Sequence, residues 1–486
     1  MIPAVVLAAL AFLLRVWVLV RVPLIETDGV RYVAIARQFQ EAGSPFDQLF
    51  HPLYPMCIAA IQPLVGDWEL AGRLVSAFFG AALVLPAWAL ARAVLGGPAA
   101  LVSAALLAVH PGLVRNGAAV LTEATYTFVL VLGVWAAWRG LVTERRAWLP
   151  TAGLLFGLGY LARPESALYL VGLIALALIA ARRSARPWRS ALWAPVSLAA
   201  FLLPSGPYLL YLRGAVGYWT LSGKVAHNIG QDFGSAMTGG GSDVGRLVSQ
   251  GGTLARRLLE NGYLFEKYAL SDLLPGVLAL FLLPGLLARA REEGWLRREG
   301  FLLGAALPPF ATLAFHLESR VFLPALPFVL PIAAAGILAA ASWAARGRAA
   351  GSVAVAATLL SVMALLPYTL RPILRPDPGE RIYREVARWV AATQPRDAVL
   401  MDRKPFVAFY SGRRSAPLGD VAPGALLAAA QRAGATLVIL DGRVLEDRPR
   451  LVPLLWAPPP AGLAVERDFD IAPAVRLRVL RLHERG

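Results

Sequence analysis

Long apolar stretches broken by short arginine-bearing segments fill the first three quarters of the chain. Their lengths predict helices that cross a membrane. About eleven are read, at 2–21, 71–93, 97–111, 119–138, 148–162, 166–181, 191–212, 271–288, 301–316, 321–342 and 350–370, several of them near the roughly 18 to 20 apolar residues that a bilayer requires. The intervening segments carry Arg92; Arg139, Arg145 and Arg146; Arg182, Arg183, Arg186 and Arg189; Arg289, Arg291, Arg297 and Arg298; and Arg346 and Arg348. Alternation of the spans puts all of these on one side, and basic loops mark the cytoplasmic side. The N-terminus is then expected in the cytoplasm and the C-terminus outside the inner or plasma membrane. The first run, Ile2 to Val20, carries Arg15 and has no small-residue cleavage site. It reads as a retained span rather than a signal peptide.

Three longer segments fall on the outer side. In residues 22–70, the stretch Gly29 to Gln40 puts Tyr32, Ile35, Ala36 and Phe39 on one stripe, as an interfacial amphipathic helix would. Residues 213–270 contain Gly239 to Gly241 and Gly251–Gly252, which predicts a mobile loop. Residues 376–486 read as a small α/β domain: a helix at 381–393, strands at 398–401 and 436–440, and a helical stretch at 425–433 between the strands. That alternation suggests a βαβ-like sheet. The expected division is 1–375 for the membrane domain and 376–486 for the soluble one.

Composition agrees with this class. Of 486 residues, 57% are hydrophobic and 16% charged, against about a quarter charged in soluble domains. The net charge of +16 sits largely in short loops, so it points to membrane topology rather than to nucleic acid. A single cysteine, Cys57, excludes an intrachain disulfide and any multi-cysteine metal site.

Ionisable side chains at membrane depth are costly and are functional candidates by default. Asp28, Glu123, Arg163, Glu318 and Arg320 all fall near span ends on the outer side. Asp28 with Arg31, in IETDGVRYVAIARQF, reads either as a helix cap with a solvated partner or as a general base beside an anion-binding arginine. His51 lies in the same segment, in HPLYP, where a following proline favours extended backbone. Glu123 opens the fourth span, where an acid also suits the helix dipole. Arg163 sits in a very short turn with Pro164 and Glu165, and Glu165 could pair with it. Glu318 and Arg320 lie in FHLESRVFLPALP; an arginine fork suits phosphate and also snorkels to interfaces. His110, His227 and His316 are too scattered for a local metal motif, and no metal is assigned.

In order and spacing these segments resemble the type C glycosyltransferases, the integral-membrane kind that includes protein O-mannosyltransferases and lipid A aminoarabinose transferases. The resemblance covers roughly residues 1–370 and is nearest to the bacterial branch that uses polyprenyl-phosphate sugars. TDGVRYVAIARQF is similar to the family's first-loop acid, arginine and amphipathic helix. HPLYP, LTEATYTF, ARPES and ESRVFLPALP resemble its later motifs. The chain departs from the pattern where Gly29 replaces the second acid of the family's pair.

The resemblance implies transfer of a sugar from a polyprenyl-phosphate donor to a lipid, polysaccharide or protein acceptor at the outer face, with inversion in a single displacement and no cofactor. It implies Asp28 as base with Glu123 as second candidate, Arg31, Arg163 and Arg320 on the donor phosphate, and His51 and Glu318 near substrate. The alternatives are a transporter or lipid flippase, or an inactive structural subunit of an envelope-assembly complex. Paired halves with helices broken near the midplane would favour transport, and none are seen. Gly29 is the argument for the inactive subunit.

Overall fold

The computed structural model describes residues 1–143, 145–184, 186–224, 251–290, 292–314, 318–345, 350–374, 378–443, 445, 448–472 and 475–483. Two compact units emerge: Met1–Val20 with Arg31–Arg371, and Arg21–Val30 with Pro372–Gly486. The second unit therefore includes ten residues of the first loop as well as the tail. Hydrogen bonds tie them in: Ile25 N donates to Tyr410 Oη at 2.7 Å, and Arg384 Nε donates to Pro23 O at 2.6 Å.

The first unit is a bundle of apolar helices. It begins with α1 (Ile2–Leu19), α2 (Thr27–Ala42), α3 (Leu53–Val65), α4 (Trp68–Ala82), α5 (Val84–Leu95), α6 (Gly97–Val109), α7 (Pro111–Asn116), α8 (Glu123–Val142), α9 (Trp148–Tyr160) and α10 (Ser166–Arg182). Trp193–Val216, Gly276–Ala288, Trp295–Ala306, Leu326–Ala345 and Ala350–Leu374 follow as further helices. Each expected span holds a helix. Among the described residues, six helices are long and apolar enough to cross a bilayer, and Ala255–Leu273 with Gly276–Ala288 forms a pair bent by 96°. The chain is a multi-pass membrane protein.

Proline explains where helices differ from the expected spans. The stretch 301–316 does not continue as one helix: Trp295–Ala306 stops before Pro308 and Pro309, and a 3₁₀ segment, Pro308–Ala314, follows. Proline removes an amide donor and clashes with the preceding turn. In HPLYP the helix begins directly after His51, with Pro52 as the αR residue before it and Leu53 starting α3. Proline is tolerated in a first helical turn, where its missing N–H has no partner to lose. Residues 225–250, with Gly239 to Gly241, lie outside the described residues; Gly251–Leu264 is helical.

Close backbone contact orders the bundle around α9. A Cβ on Gly153 would lie 2.2 Å from Ser197 O, and one on Gly157 2.3 Å from Phe201 O. These two glycines, one turn apart, let α9 lie directly on helix Trp193–Val216, as small residues do between membrane helices. On the end carrying the arginine-rich loops, Arg289 Nη1 donates to Leu95 O at 2.9 Å and Arg297 Nη2 to Val142 O at 3.3 Å. The ends of α5, α8 and the helices flanking residue 291 are thereby joined.

In the second unit, strands β1 (Val399–Asp402), β2 (Arg414–Pro417), β3 (Leu437–Asp441), β4 (Leu463–Ala472) and β5 (Val475–Leu482) form one sheet in the order β2-β1-β3-β5-β4. β1 runs parallel to β2 and β3, as the βαβ reading expects, and β5 joins antiparallel to β3 and β4. Every residue of β1 and β3 is buried, which fits continuous apolar runs in the middle of a covered sheet.

Candidate active site at the helix ends

Glu123 opens α8 and is 3% exposed. Its Oε1 accepts from Arg163 Nη1 at 2.9 Å and lies 3.7 Å from Arg320 Nε. Arg163 in turn grips Glu165 with two bonds, Nε at 3.2 Å and Nη2 at 3.0 Å. Arg320 Nε donates to Glu318. Five side chains thus form an alternating row, Glu165, Arg163, Glu123, Arg320, Glu318, drawn from three separate parts of the chain. Charge-assisted bonds of this kind are the strong ones, and the paired contact fixes the guanidinium plane.

Local structure explains the placement. The turn between α9 and α10 is tight: Arg163 N donates to Gly159 O at 2.9 Å, and Ser166 Oγ to Phe156 O at 2.7 Å. This aims Arg163 back over α8, with its guanidinium carbon 6.0 Å from the centre of the Tyr126 ring. Arg320 sits on a 3₁₀ segment, Ser319–Ala325, whose Phe322 is fully buried against Phe265 at 4.7 Å between ring centres. That anchor leaves Arg320 at the surface of the segment, facing Glu123.

The first-loop candidates separate into three environments. Asp28 lies in the first turn of α2, inside the helix rather than at its cap, where an acid favours the helix dipole. It belongs to the second unit. Arg31, one turn later, is half exposed and pairs with Asp47; Asp47 Oδ1 accepts from Leu49 N at 2.9 Å and Phe50 N at 3.0 Å. The stripe expected on this helix is present, with Tyr32, Ile35 and Ala36 buried.

His51 is 5% exposed, with Nδ1 2.6 Å from Tyr160 O and its ring against Tyr160 and Tyr208. Burial pushes it down to about 4, so the ring is neutral at physiological pH. With Leu53 N donating to Leu161 O at 2.7 Å, it ties the first loop to the turn that carries Arg163.

The structure therefore brings together Glu123, Arg163, Glu318 and Arg320. Apart from that row, sequence reasoning missed Asp47 in the first loop, the partner of Arg31, and Lys224, whose Nζ lies 5.3 Å from the centre of the Phe50 ring. The acid in SPFDQLF was the available signal for Asp47. His110 is fully buried, with Nε2 3.0 Å from Leu273 O, and His227 and His316 lie outside the described residues.

The sequence pattern of the dolichyl-phosphate-mannose-protein mannosyltransferases matches residues 50–210. That segment contains His51, Glu123 and Arg163. No curated protein matches the chain in sequence. Solved structures do. ArnT from Cupriavidus metallidurans aligns over 98% of this chain and 97% of its own, with TM-score 0.59 and 15% identity. The same protein bound to undecaprenyl phosphate aligns with TM-score 0.57 over the same shares, also at 15% identity. The archaeal oligosaccharyltransferase AglB from Archaeoglobus fulgidus, in complex with an inhibitory peptide and a dolichol-phosphate, aligns over 93% of this chain and 71% of its own, with TM-score 0.57 and 14% identity. Residues 50–210 thus match one family model in sequence, and the chain shares its fold with ArnT and AglB.

Proposed function

We propose that the chain transfers a sugar from a polyprenyl-phosphate donor to a lipid, glycan or protein acceptor at the extracytoplasmic face of the membrane. The observation that carries this is the row Glu165, Arg163, Glu123, Arg320, Glu318 at the helix ends, opposite the arginine-rich loops. Two of the similar structures hold undecaprenyl phosphate or dolichol-phosphate. A polyprenyl phosphate is already an anion of low basicity as a leaving group, so it needs cations rather than a general acid.

Arg163 has N–H groups beyond those bonded to Glu123 and Glu165. Arg163 and Arg320 are the proposed cations for the phosphate, held in orientation by the acids, with half-exposed Arg31 as the third. Fixed charges in a site poor in water stabilise charge as it develops. Asp28, one helical turn before Arg31, is the proposed base for the acceptor hydroxyl. Glu123, occupied by two guanidiniums, is the organiser of the row and the second candidate for base. The proposed reaction is a single displacement with inversion, without a cofactor. The basic loops support an N-terminus inside and a tail outside.

The test is purified protein in detergent or nanodiscs, first with undecaprenyl phosphate in a binding assay, then with polyprenyl-phosphate sugars. The expected result is saturable binding and consumption of at least one such sugar. Absence of both in well-folded protein would reject the reading.

A further inference from the structure

Residues 166–231 contain no Asp or Glu, and Arg182, Arg183, Arg186 and Arg189 fall close together within that stretch. They occupy the turn that leads from α10 into the short helix Pro187–Ala191 and on to helix Trp193–Val216. All four are exposed, and among the described residues none of them pairs with a carboxylate. The turn is stitched by its serines instead. Ser184 Oγ accepts from Ser190 Oγ at 2.8 Å and from Arg186 N at 3.3 Å, and Ser190 N donates to Arg186 O at 3.1 Å.

The neighbouring basic segments use their arginines differently. Arg289 and Arg298 pair with Glu292, Arg297 donates to Val142 O, and Arg139 lies over the rings of Trp135 and Trp148. Those arginines close helix ends. In the acid-free turn the guanidinium carbon of Arg189 lies 4.9 Å from the centre of the Trp188 ring, and that residue is itself 65% exposed. Four like charges so close in sequence repel one another, and an anion among them would relieve the repulsion.

Apolar surface accompanies the charge. Leu192 is exposed beside Trp188, and one helical turn further along lie exposed Ile179 on α10 and Val196 on the following helix. The segment Pro187–Val216 is long and apolar enough to cross a bilayer. Arginines and a tryptophan at the end of such a span belong at headgroup level, with the apolar side chains against acyl tails. The occupant that uses both features is anionic and lipidic. A soluble phosphate would use the arginines and leave Trp188 and Leu192 idle.

We propose that this turn is a binding site for an anionic phospholipid, with the headgroup phosphate on Arg182, Arg183, Arg186 and Arg189 and the acyl chains along Trp188, Leu192 and the exposed sides of the two helices. Basic clusters next to a span attract anionic lipids in this way. The phospholipid is neither sugar donor nor acceptor, so the inference stands apart from the transfer reaction.

The experiment is native mass spectrometry of the full-length protein in detergent, titrated with phosphatidylglycerol and with phosphatidylcholine of the same acyl chains. Wild type should hold its first phosphatidylglycerol at least roughly ten-fold more tightly. Arg186→Gln/Arg189→Gln should lose most of that preference, and Arg182→Gln/Arg183→Gln/Arg186→Gln/Arg189→Gln should lose nearly all of it. Arg145→Gln/Arg146→Gln, which removes two charges from another basic segment, should keep it. No preference in wild type, or equal loss in the two double variants, would overturn the proposal. Displacement of the lipid by soluble glycerophosphate at equal concentration would assign the arginines to free phosphate and overturn the lipid assignment.

Should a turn variant fail to fold, wild type decides the matter. Trypsin cleavage after Arg182, Arg183 and Arg189 should be slowed by phosphatidylglycerol and not by phosphatidylcholine. Equal cleavage in the two lipids would overturn the site.

Discussion

A pH dependence can be worked out from the sheet of the second unit. Asp402 ends β1 and Asp441 ends the neighbouring parallel strand β3, both buried. Asp402 Oδ1 accepts from Ser415 Oγ at 2.8 Å, and its Oδ2 has no hydrogen bond among the described residues. Asp441 accepts from the Tyr383 hydroxyl and from Arg443 N. Burial, aided by the Asp441 charge and opposed by the Ser415 hydrogen bond, pushes Asp402 from 3.8 up to about 8. The folded state then holds this proton more tightly than the unfolded chain does. Its stabilising effect is complete below about pH 4, is lost as pH rises to about 8, and is level above that. Roughly four units at about 1.4 kcal/mol each set an upper limit of about 6 kcal/mol, before water entry and relaxation. Asp402→Asn keeps an oxygen for Ser415 and cannot ionise. The variant should therefore gain on wild type steadily between about pH 4 and pH 8. Hydrogen exchange on peptides covering β1 and β3 in the full chain, corrected for intrinsic rates, reads this locally. A gap that stays flat or shrinks as pH rises would refute the reasoning.

Other substitutions address the membrane unit. Arg163→Met leaves buried Glu123 and part-buried Glu165 without the cation between them and should cost about 3–5 kcal/mol, seen as lost thermal stability in detergent; unchanged stability would show that the pairs carry no load. Arg320 is more exposed and its partner Glu318 more so, so Arg320→Ala should fold, yet weaken undecaprenyl phosphate binding by roughly ten- to a hundred-fold, the equivalent of about 1.5–3 kcal/mol. An unchanged Kd would remove Arg320 from the phosphate site. Asp28→Asn should cut transfer by about 10² to 10⁴-fold while lipid binding persists; a rate within a few-fold of wild type would reduce Asp28 to a helix-end residue.

The parts of this architecture that were legible in the sequence are those set by periodicity and local chemistry. Span positions followed from apolar length. The α2 stripe followed from the spacing of Tyr32, Ile35 and Ala36, and the parallel pairing of β1 and β3 from two short apolar runs flanking a helical one. Strands β4 and β5 were missed because charged residues interrupt them: Glu466, Arg467, Asp468 and Asp470 in one, Arg476, Arg478 and Arg481 in the other. Their side chains pair across the hairpin, as Arg476 does with Asp470 at 3.0 Å and Arg478 with Asp468 at 2.9 Å, so the charge belongs to the sheet rather than to a loop. The helix α3 was missed for the opposite reason, since its prolines disguised an apolar run. The convergence of Glu123, Arg163 and Arg320 depends on tertiary packing, and no local signal encodes it. Only their common sidedness was readable.

Broken helices explain why so many polar residues lie near this end of the bundle, and they also separate structural from chemical candidates. Each interruption at membrane depth leaves backbone carbonyls that water cannot reach, and side chains must satisfy them. His51 lies on Tyr160 O, His110 on Leu273 O, Tyr208 Oη on Asp47 O, Tyr160 Oη on Leu221 O and Thr369 Oγ1 on Val109 O. Scored by residue type alone, several of these would pass for catalytic groups. Their bonds to backbone identify them as fasteners of helix ends. Glu123, Arg163 and Arg320 differ in kind, because the bonds that place them run from side chain to side chain. A bundle that needed only to close its broken ends could do so with hydroxyls and imidazoles. Retaining a row of full charges there costs desolvation that packing does not require, and the anionic donor proposed above would be a physical reason for keeping it.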